Sequence, residues 1–283
     1  MFVTGAIIRP RDLWASEREI LMIRYFNTVV RPAIRSFGIR TGLYREKTRE
    51  NEVLPPDFDD VTIRIYDAVK NFTSTSPERV SSLVDAVRFV VESEIEGAMV
   101  ECGVWLGGST MAMALALREF GDESREIYLY DTFAGMTEPT EADVAFSGAS
   151  AKKKFDKRKI SDESSIWCLS TLEQTKENVL STGYPSDKIH FVEGMVEDTI
   201  PATVPPNGIA LLRLDTDWYE STKHELVHLF PLLADNGPLI IDDYGHWQGA
   251  KKAVDEYFQE NNLRMFLSRI DYTGRIGIKR SGG

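Results

Sequence analysis

Two stretches of this chain are apolar almost without interruption and then end in aspartates. Ile209–Leu214 runs into Asp215-Thr216-Asp217, and Leu239–Ile241 runs into Asp242-Asp243, with Arg213 the one charge inside either run. A short apolar run without polar alternation is what a strand needs when helices cover both faces of its sheet, and such sheets are parallel. A strand of this kind cannot hold carboxylates in its middle, so the aspartates mark where each strand leaves the sheet. In open α/β sheets that carboxyl edge is where ligands bind. Asp215, Asp242 and Asp243 brought together there would repel one another unless protons or a cation compensated. Carboxylate oxygens favour a hard divalent ion, Mg²⁺ over zinc. Helix N-caps or loop solvation suit single aspartates, and Asp217, which precedes Glu220-Ser221-Thr222 and a helical stretch, reads that way.

From about Thr73 strands and helices alternate. Strands are expected near Ala98–Glu101, Glu126–Tyr130, Lys188–Val192, Ile209–Leu214 and Leu239–Ile241, with helices at Thr110–Glu119, Ser170–Ser181 and Glu220–Leu233. Such alternation implies right-handed crossovers and a parallel sheet. Met265–Ile270 and Arg275–Lys279, joined by Asp271-Tyr272-Thr273-Gly274, read as a closing antiparallel hairpin. The fold class is therefore α/β: a Rossmann-like, seven-stranded, mostly parallel sheet of the class I methyltransferase pattern. Residues 1–70 read as an N-terminal helical appendage for packing, oligomerisation or the acceptor pocket. Ser16 and Glu19 form its capping box, and a helix covers Val61–Lys70. Residues 71–283 form the main domain. It carries a polar, lysine-rich insertion at 137–167, read either as a lid or as a solvated, mobile face.

Composition narrows the function classes. The chain has 283 residues, 42% hydrophobic and 27% charged, with a formal net charge of −11. That charge argues against nucleic acid and against docking on an anionic membrane. No run reaches membrane-spanning length. Cys102 and Cys168 make neither a disulfide framework nor a zinc site, which fits a cytoplasmic, reducing setting. His224 and His228 lie four apart but without an HExxH pattern, so surface positions are expected for both.

Three segments carry further chemistry. Val100–Thr110 follows the first strand and contains Gly103, Gly107 and Gly108, which permit a sharp turn and close approach of a ligand. Its spacing is not GxGxxG. Glu101 beside that turn would repel a pyrophosphate, yet it suits the amino group of S-adenosylmethionine. Asp131, ending the next strand, is placed to accept ribose hydroxyls. Gly194 in Glu193–Thr199 offers a flat surface for adenine.

Val100–Thr110, Asp131–Gly135, Glu193–Pro201, Leu212–Thr222 and Ile241–Tyr244 together resemble the macrocin O-methyltransferase (TylF-type) family, over about residues 73–260. The resemblance implies an enzyme that methylates a hydroxyl of a small natural product, above all a sugar, with S-adenosylmethionine and Mg²⁺. It implies metal ligands at Asp215, Asp242 and Asp243. It implies cofactor contacts at Thr75, Ser76, Glu101, Cys102, Gly103, Val104, Ser109, Asp131, Thr132 and Phe133, with Trp167, Gly194 and Met195 beside the adenine. The family's early cysteine in the helix after the metal aspartates is missing from Gly245–Ala250. As a mechanism, the metal lowers the pKa of the hydroxyl. Asp215 is then the first candidate proton acceptor and His246 the second. A small-molecule acceptor and a homo-oligomer are the expected partners. The alternatives are a catechol-type phenol methyltransferase, a nicotinamide-dependent oxidoreductase and a non-catalytic relative.

Overall fold

The central strands of the sheet are short and apolar because they are covered on both sides, while the edge strand Ile189–Glu193 is half exposed. In the computed structural model, which describes residues 53–161 and 164–280, five strands are β1 (Ala98–Cys102), β2 (Ile127–Asp131), β5 (Ile189–Glu193), β6 (Ile209–Leu214) and β7 (Pro238–Ile241). All five run parallel, and with β8 (Ser268–Arg269) and β9 (Arg275–Ile278) the sheet order is β5-β2-β1-β6-β7-β9-β8. Every residue of β1, β6 and β7 is buried. Alternate residues feed opposite faces, as the two-residue period of a strand requires. Met99, Ile127, Leu129, Leu211 and Ile240 pack one way; Val100, Tyr130, Leu212, Leu214, Leu239 and Ile241 pack the other.

Helices supply the covers. Helices α1 (Asp60–Val69), α2 (Pro77–Glu92) and α3 (Gly108–Glu119) lie on the first face, with α5 (Leu172–Leu180) contributing Val179. On the second face, α7 (Tyr219–His228) contributes Leu226 and α8 (Gln248–Glu260) contributes Val254 and Tyr257. The start of α2 is legible in its residues. Ser76 accepts a hydrogen bond from the Arg79 amide at 3.2 Å and Pro77 takes the first helical position. The expected closing hairpin is present as β8 (Ser268–Arg269) and β9 (Arg275–Ile278), antiparallel to β7 through β9.

The chain runs outward from β1 to β2 and β5, then returns to lay β6 against the free side of β1. That reversal puts a topological switch point between the carboxyl ends of β1 and β6, where open α/β sheets form their ligand crevice. At this point Gly103 has φ +82°, and a Cβ there would stand 2.1 Å from the Asp215 carbonyl oxygen. Only a residue without a side chain lets β1 turn this close to the end of β6.

Two organisational expectations meet the structure differently. The capping box at Ser16 and Glu19, and the apolar helix behind the homo-oligomer expectation, lie outside the described residues. The helix expected at 61–70 packs Ile65, Tyr66 and Val69 into the core of the sheet. It lies within the compact unit Thr48–Gly283, whereas the sequence pattern places it in an appendage ending at residue 70. None of the described helices is long and apolar enough to cross a membrane.

The insertion holds defined structure. It contains α4 (Ala151–Asp156) and a small hairpin of β3 (Lys159–Ser161) and β4 (Ser164–Ser165); α6 (Val196–Thr199) follows β5 later in the chain. Ala145, Ala151, Phe155 and Trp167 pack with Trp218, Trp247 and Ala250 in a separate apolar cluster. Periodicity missed these elements because each is only a few residues long.

Gly103→Ala should lower folding stability by about 3 kcal/mol, since it combines a left-handed φ with a backbone clash. Urea unfolding of the purified variant measures this, and an unchanged midpoint would contradict the close approach.

Candidate active site

A single guanidinium organises the carboxyl edge. Arg213, the next-to-last residue of β6 and two before Asp215, is 1% exposed, as is its partner Glu101 on β1. Its Nη1 donates to Glu101 Oε1 at 2.6 Å and to Asp215 Oδ2 at 2.8 Å. Its Nη2 donates to Asp242 Oδ1 at 2.5 Å and to the Thr75 hydroxyl at 3.2 Å. Arg79, from the first turn of α2, grips Asp242 Oδ2 and reaches Asp271 Oδ2 at 3.0 Å. Arginine suits this task because its planar fork presents several donors in fixed directions.

Around these two cations stand more carboxylates than they can neutralise. Asp215, Asp242 and Asp243 each offer one oxygen within 4.8 Å of the others. Asp243 Oδ2 is buried and has no hydrogen-bond partner. Burial, and then the charge and contact of Asp217, push the Asp243 carboxyl well above the usual range. Asp215 is pushed up as well, by burial and by Asp242 and Asp243, against the pull of Arg213. Glu101 rises to about 7, because loss of water outweighs its bond to Arg213.

Asp217 does not cap the following helix. The N-cap of α7 is Trp218, and its side chain makes no capping bond. The first amide of α7, from Tyr219, donates instead to Asp143 Oδ1 at 2.9 Å, an aspartate of the insertion. Asp217 takes a φ of +70° and turns toward Asp243, with burial raising its carboxyl to about 7. A fourth carboxylate therefore belongs to the cluster, and the N-cap reading of Asp217 is corrected.

On the other side of the switch point lies the crevice between β1, β2 and β5. Gly103, Asp131, Thr132, Gly194, Met195 and Asp215 line it. Asp131 Oδ2 accepts the amides of Val104 at 2.6 Å and Trp105 at 3.0 Å, and its Oδ1 accepts that of Phe133 at 2.8 Å. The aspartate thus braces the glycine turn, and part of Oδ1 is left for a ligand hydroxyl. Cys102 is fully buried. Gly194, at φ +138°, donates its amide to the Asp131 carbonyl at 3.0 Å.

Several expected contacts point elsewhere. Glu101 divides its oxygens between Arg213 and the Thr110 hydroxyl, inside the protein, so it does not face a cofactor amine. Ser76 caps α2 and donates to Asp271 Oδ2 at 2.9 Å, while Thr75 is buried beside Arg213. Ser109 is buried in the first turn of α3. Trp167 packs edge-on against Trp218, with ring centroids 5.5 Å apart, and Lys154 Nζ sits 3.5 Å from its ring centre. Of the insertion's lysines, Lys154 approaches the cluster: burial lowers its pKa, and the Asp217 carboxyl is a close neighbour that opposes the shift. Lys152 pairs with Asp156 and Glu138 at the surface.

His246 stands at the mouth, its amide donating to the Asp243 carbonyl at 2.9 Å. Burial, followed by the charges of Lys154 and Arg79, lowers its pKa, which favours a neutral ring at neutral pH. His224 and His228 are ring neighbours on α7, 4.4 Å between centroids, and His224 Nε2 meets the Ile200 carbonyl.

Residues 65–276 match the family described as macrocin O-methyltransferase (TylF). The chain belongs to that family. Over 202 residues it is 33% identical to the 8-demethyl-8-(2,3-dimethoxy-α-L-rhamnosyl)-tetracenomycin-C 4'-O-methyltransferase of Streptomyces olivaceus, covering 71% of this chain and 73% of the relative. It is 30% identical over 197 residues to the demethyldecarbamoylnovobiocin O-methyltransferase of Streptomyces niveus, covering 70% and 71%. The solved structure of the O-methyltransferase NovP superposes with a TM-score of 0.64 at 27% identity, covering 74% of this chain and 82% of NovP.

This TylF-family chain is a methyltransferase, which sets aside the oxidoreductase alternative. Its site contains residues that motif reading passed over, Arg79, Asp143 and Glu225, together with Asp217, which reads from sequence as a helix cap. Arg213 was visible as a lone charge in an apolar strand, but its partners were not. Glu225, on α7 beneath the site, is fully buried with neither oxygen hydrogen-bonded, next to Thr216 and Cys102. Burial raises its carboxyl well above the usual range.

In the folded methyltransferase Glu225 keeps its proton at pH values where the unfolded chain has released it. Stability therefore falls as pH rises above the unfolded carboxyl value of about 4.5. Glu225→Gln keeps the shape and removes the titration. Its melting temperature should exceed that of wild type by several degrees at about pH 8, with the gap closing toward about pH 4. Thermal melts across pH check this, and a pH-independent difference would contradict it.

Proposed function

We propose that this enzyme transfers the methyl group of S-adenosylmethionine to a hydroxyl on a small natural product, above all on its sugar, with the help of Mg²⁺. The observation that carries the reading is the carboxylate group Asp215, Asp242 and Asp243 at the switch-point edge, with Asp243 Oδ2 buried and unpartnered. The relatives support the acceptor class, since their names specify a rhamnosyl tetracenomycin and demethyldecarbamoylnovobiocin.

The donor set fits a hard divalent cation. Every candidate ligand is a carboxylate oxygen; Arg213 pairs with Glu101, Asp215 and Asp242, Arg79 pairs with Asp242, and Lys154 is a cationic neighbour of Asp217. When bound at Asp215, Asp242 and Asp243, Mg²⁺ would supply a Lewis acid that makes the acceptor hydroxyl more acidic. S-adenosylmethionine would bring the electrophilic methyl to the crevice lined by Gly103, Asp131, Thr132, Gly194 and Met195.

The remaining work falls to the protein's own groups. Arg213 and Arg79 hold Asp242 through both oxygens, which fixes its direction. Asp131 keeps the glycine turn in the shape that lets a ligand lie close to the backbone. Methyl transfer is an in-line displacement, so rate depends on holding nucleophile, carbon and leaving sulfur in a row. The hydroxyl proton must leave as the new bond forms. Asp215 is the first candidate to accept it, and His246, at the same mouth, is the second. Asp217 joins them as a carboxylate turned toward Asp243.

Asp215→Asn should lower turnover by about a hundredfold or more while leaving affinity for S-adenosylhomocysteine within about threefold. Calorimetric titration and a methyl-transfer assay separate the two effects. Equal turnover in the variant would exclude Asp215 as ligand and proton acceptor. Asp243→Asn should weaken Mn²⁺ binding, read by paramagnetic resonance, by about tenfold or more. Undiminished Mn²⁺ affinity would remove the metal from the reading.

A further inference from the structure

Beside the carboxylate cluster, three segments present aromatic rings to solvent. Phe146 comes from the insertion, His246 from the loop between β7 and α8, and Tyr272 from the turn between β8 and β9. Phe146 is 63% exposed and Tyr272 is 55% exposed, although both are large and apolar. The three rings meet edge to face. Centroids lie 5.7 Å apart for Phe146 and His246, 5.9 Å for Phe146 and Tyr272, and 5.9 Å for His246 and Tyr272.

The wall they form is built, not draped. The Phe146 amide donates to the His246 carbonyl at 2.8 Å, and Ala145 bridges to Trp247. A Cβ on Gly245 would stand 2.0 Å from the Tyr272 carbonyl oxygen, so the two loops touch through backbone. Behind the wall, the Trp247 ring meets His246 at 4.7 Å and Trp218 at 5.1 Å. The wall also adjoins the reacting edge directly. The His246 and Trp247 amides both donate to the Asp243 carbonyl, and the Thr273 hydroxyl donates to that of Asp242 at 2.8 Å.

Exposed apolar surface of this kind marks a binding site. Its chemistry selects the ligand. Phe146 offers no polar atom, and the Tyr272 hydroxyl and His246 Nδ1 bond one another at 3.2 Å. A face bristling with hydroxyls would find few partners there, whereas an aromatic ring would meet three rings in favourable edge-to-face or offset geometry.

We propose that Phe146, His246 and Tyr272 form an acceptor subsite for an aromatic ring joined to the sugar that presents its hydroxyl to the carboxylate cluster. This rests on the reading of the chain as a natural-product O-methyltransferase. The wall holds the ring, and the ring fixes which hydroxyl reaches the metal edge.

The test uses the full chain with S-adenosylhomocysteine and Mg²⁺, titrated with 4-nitrophenyl α-L-rhamnopyranoside and with methyl α-L-rhamnopyranoside. The aryl glycoside should bind about tenfold tighter than the methyl glycoside. Phe146→Ala, an exposed position whose loss leaves the core intact, should erase about fivefold of that preference, and Tyr272→Ala should do the same. Affinity for S-adenosylhomocysteine should stay within about twofold in both variants. Equal affinities of the two glycosides, an aryl preference that survives both variants, or no aryl binding in a protein that binds S-adenosylhomocysteine would each overturn the subsite. Loss of S-adenosylhomocysteine binding by wild type would instead overturn the methyltransferase reading of the crevice. An aryl preference that vanishes with Phe146 supports the wall in either case.

Discussion

The buried guanidinium of Arg213 is the interaction on which the rest of this site depends. It joins β1 through Glu101, β6 through Asp215, β7 through Asp242 and the segment before α2 through Thr75. Four pieces of chain are tied by one planar group that is 1% exposed. A charge so placed is costly to bury, and deleting such a partner typically leaves an uncompensated deficit of about 3–5 kcal/mol. The cost is tolerated because the same fork sets the spacing of two carboxylates that the site needs. A hydrophobic residue at 213 would suit the strand better and leave those carboxylates with no fixed direction.

The same economy explains the surplus of negative charge. Asp215, Asp217, Asp243 and Glu101 are all held above their ordinary pKa, with burial the leading cause in each and neighbouring carboxylates adding to it. Carboxylates buried this close together raise one another's pKa and cost stability. Backbone strain gathers in the same place. Trp105, Phe133, Cys168 and Asp217 all take positive φ around the crevice, a conformation that L side chains adopt only when the surroundings hold them there.

The insertion shows how those surroundings are enforced. Asp143 is buried, accepts the Thr140 amide and hydroxyl, and caps α7 through the Tyr219 amide. A Cβ on Gly249 would stand 2.0 Å from its Oδ1, so α8 begins against the same carboxylate. Ala145, Ala151, Phe155 and Trp167 of the insertion pack with Trp218 and Trp247, which joins its described residues to the edge of the site. Lysine-rich composition alone suggested a solvated face because it reports the outer surface, and the inner one is carried by a few aromatic residues.

The sequence by itself determined the sheet and its edge. Unbroken apolar runs require two covered faces, glycine at 103 permits the tight turn, and Asp215, Asp242 and Asp243 can sit only where strands end. Those constraints act over a few neighbouring residues, so they are written locally. What each polar side chain touches was decided by tertiary structure alone. Glu101 reads as a cofactor ligand until Arg213, 112 positions away, turns it inward. Asp217 reads as a helix cap until Asp143 takes that place from another segment. The aromatic wall exists in no single stretch of chain, because Phe146, His246 and Tyr272 meet only after the sheet has brought three loops to one edge. Hydrogen bonds and ring contacts depend on distances of a few ångströms between residues far apart in sequence, and only the fold sets those distances.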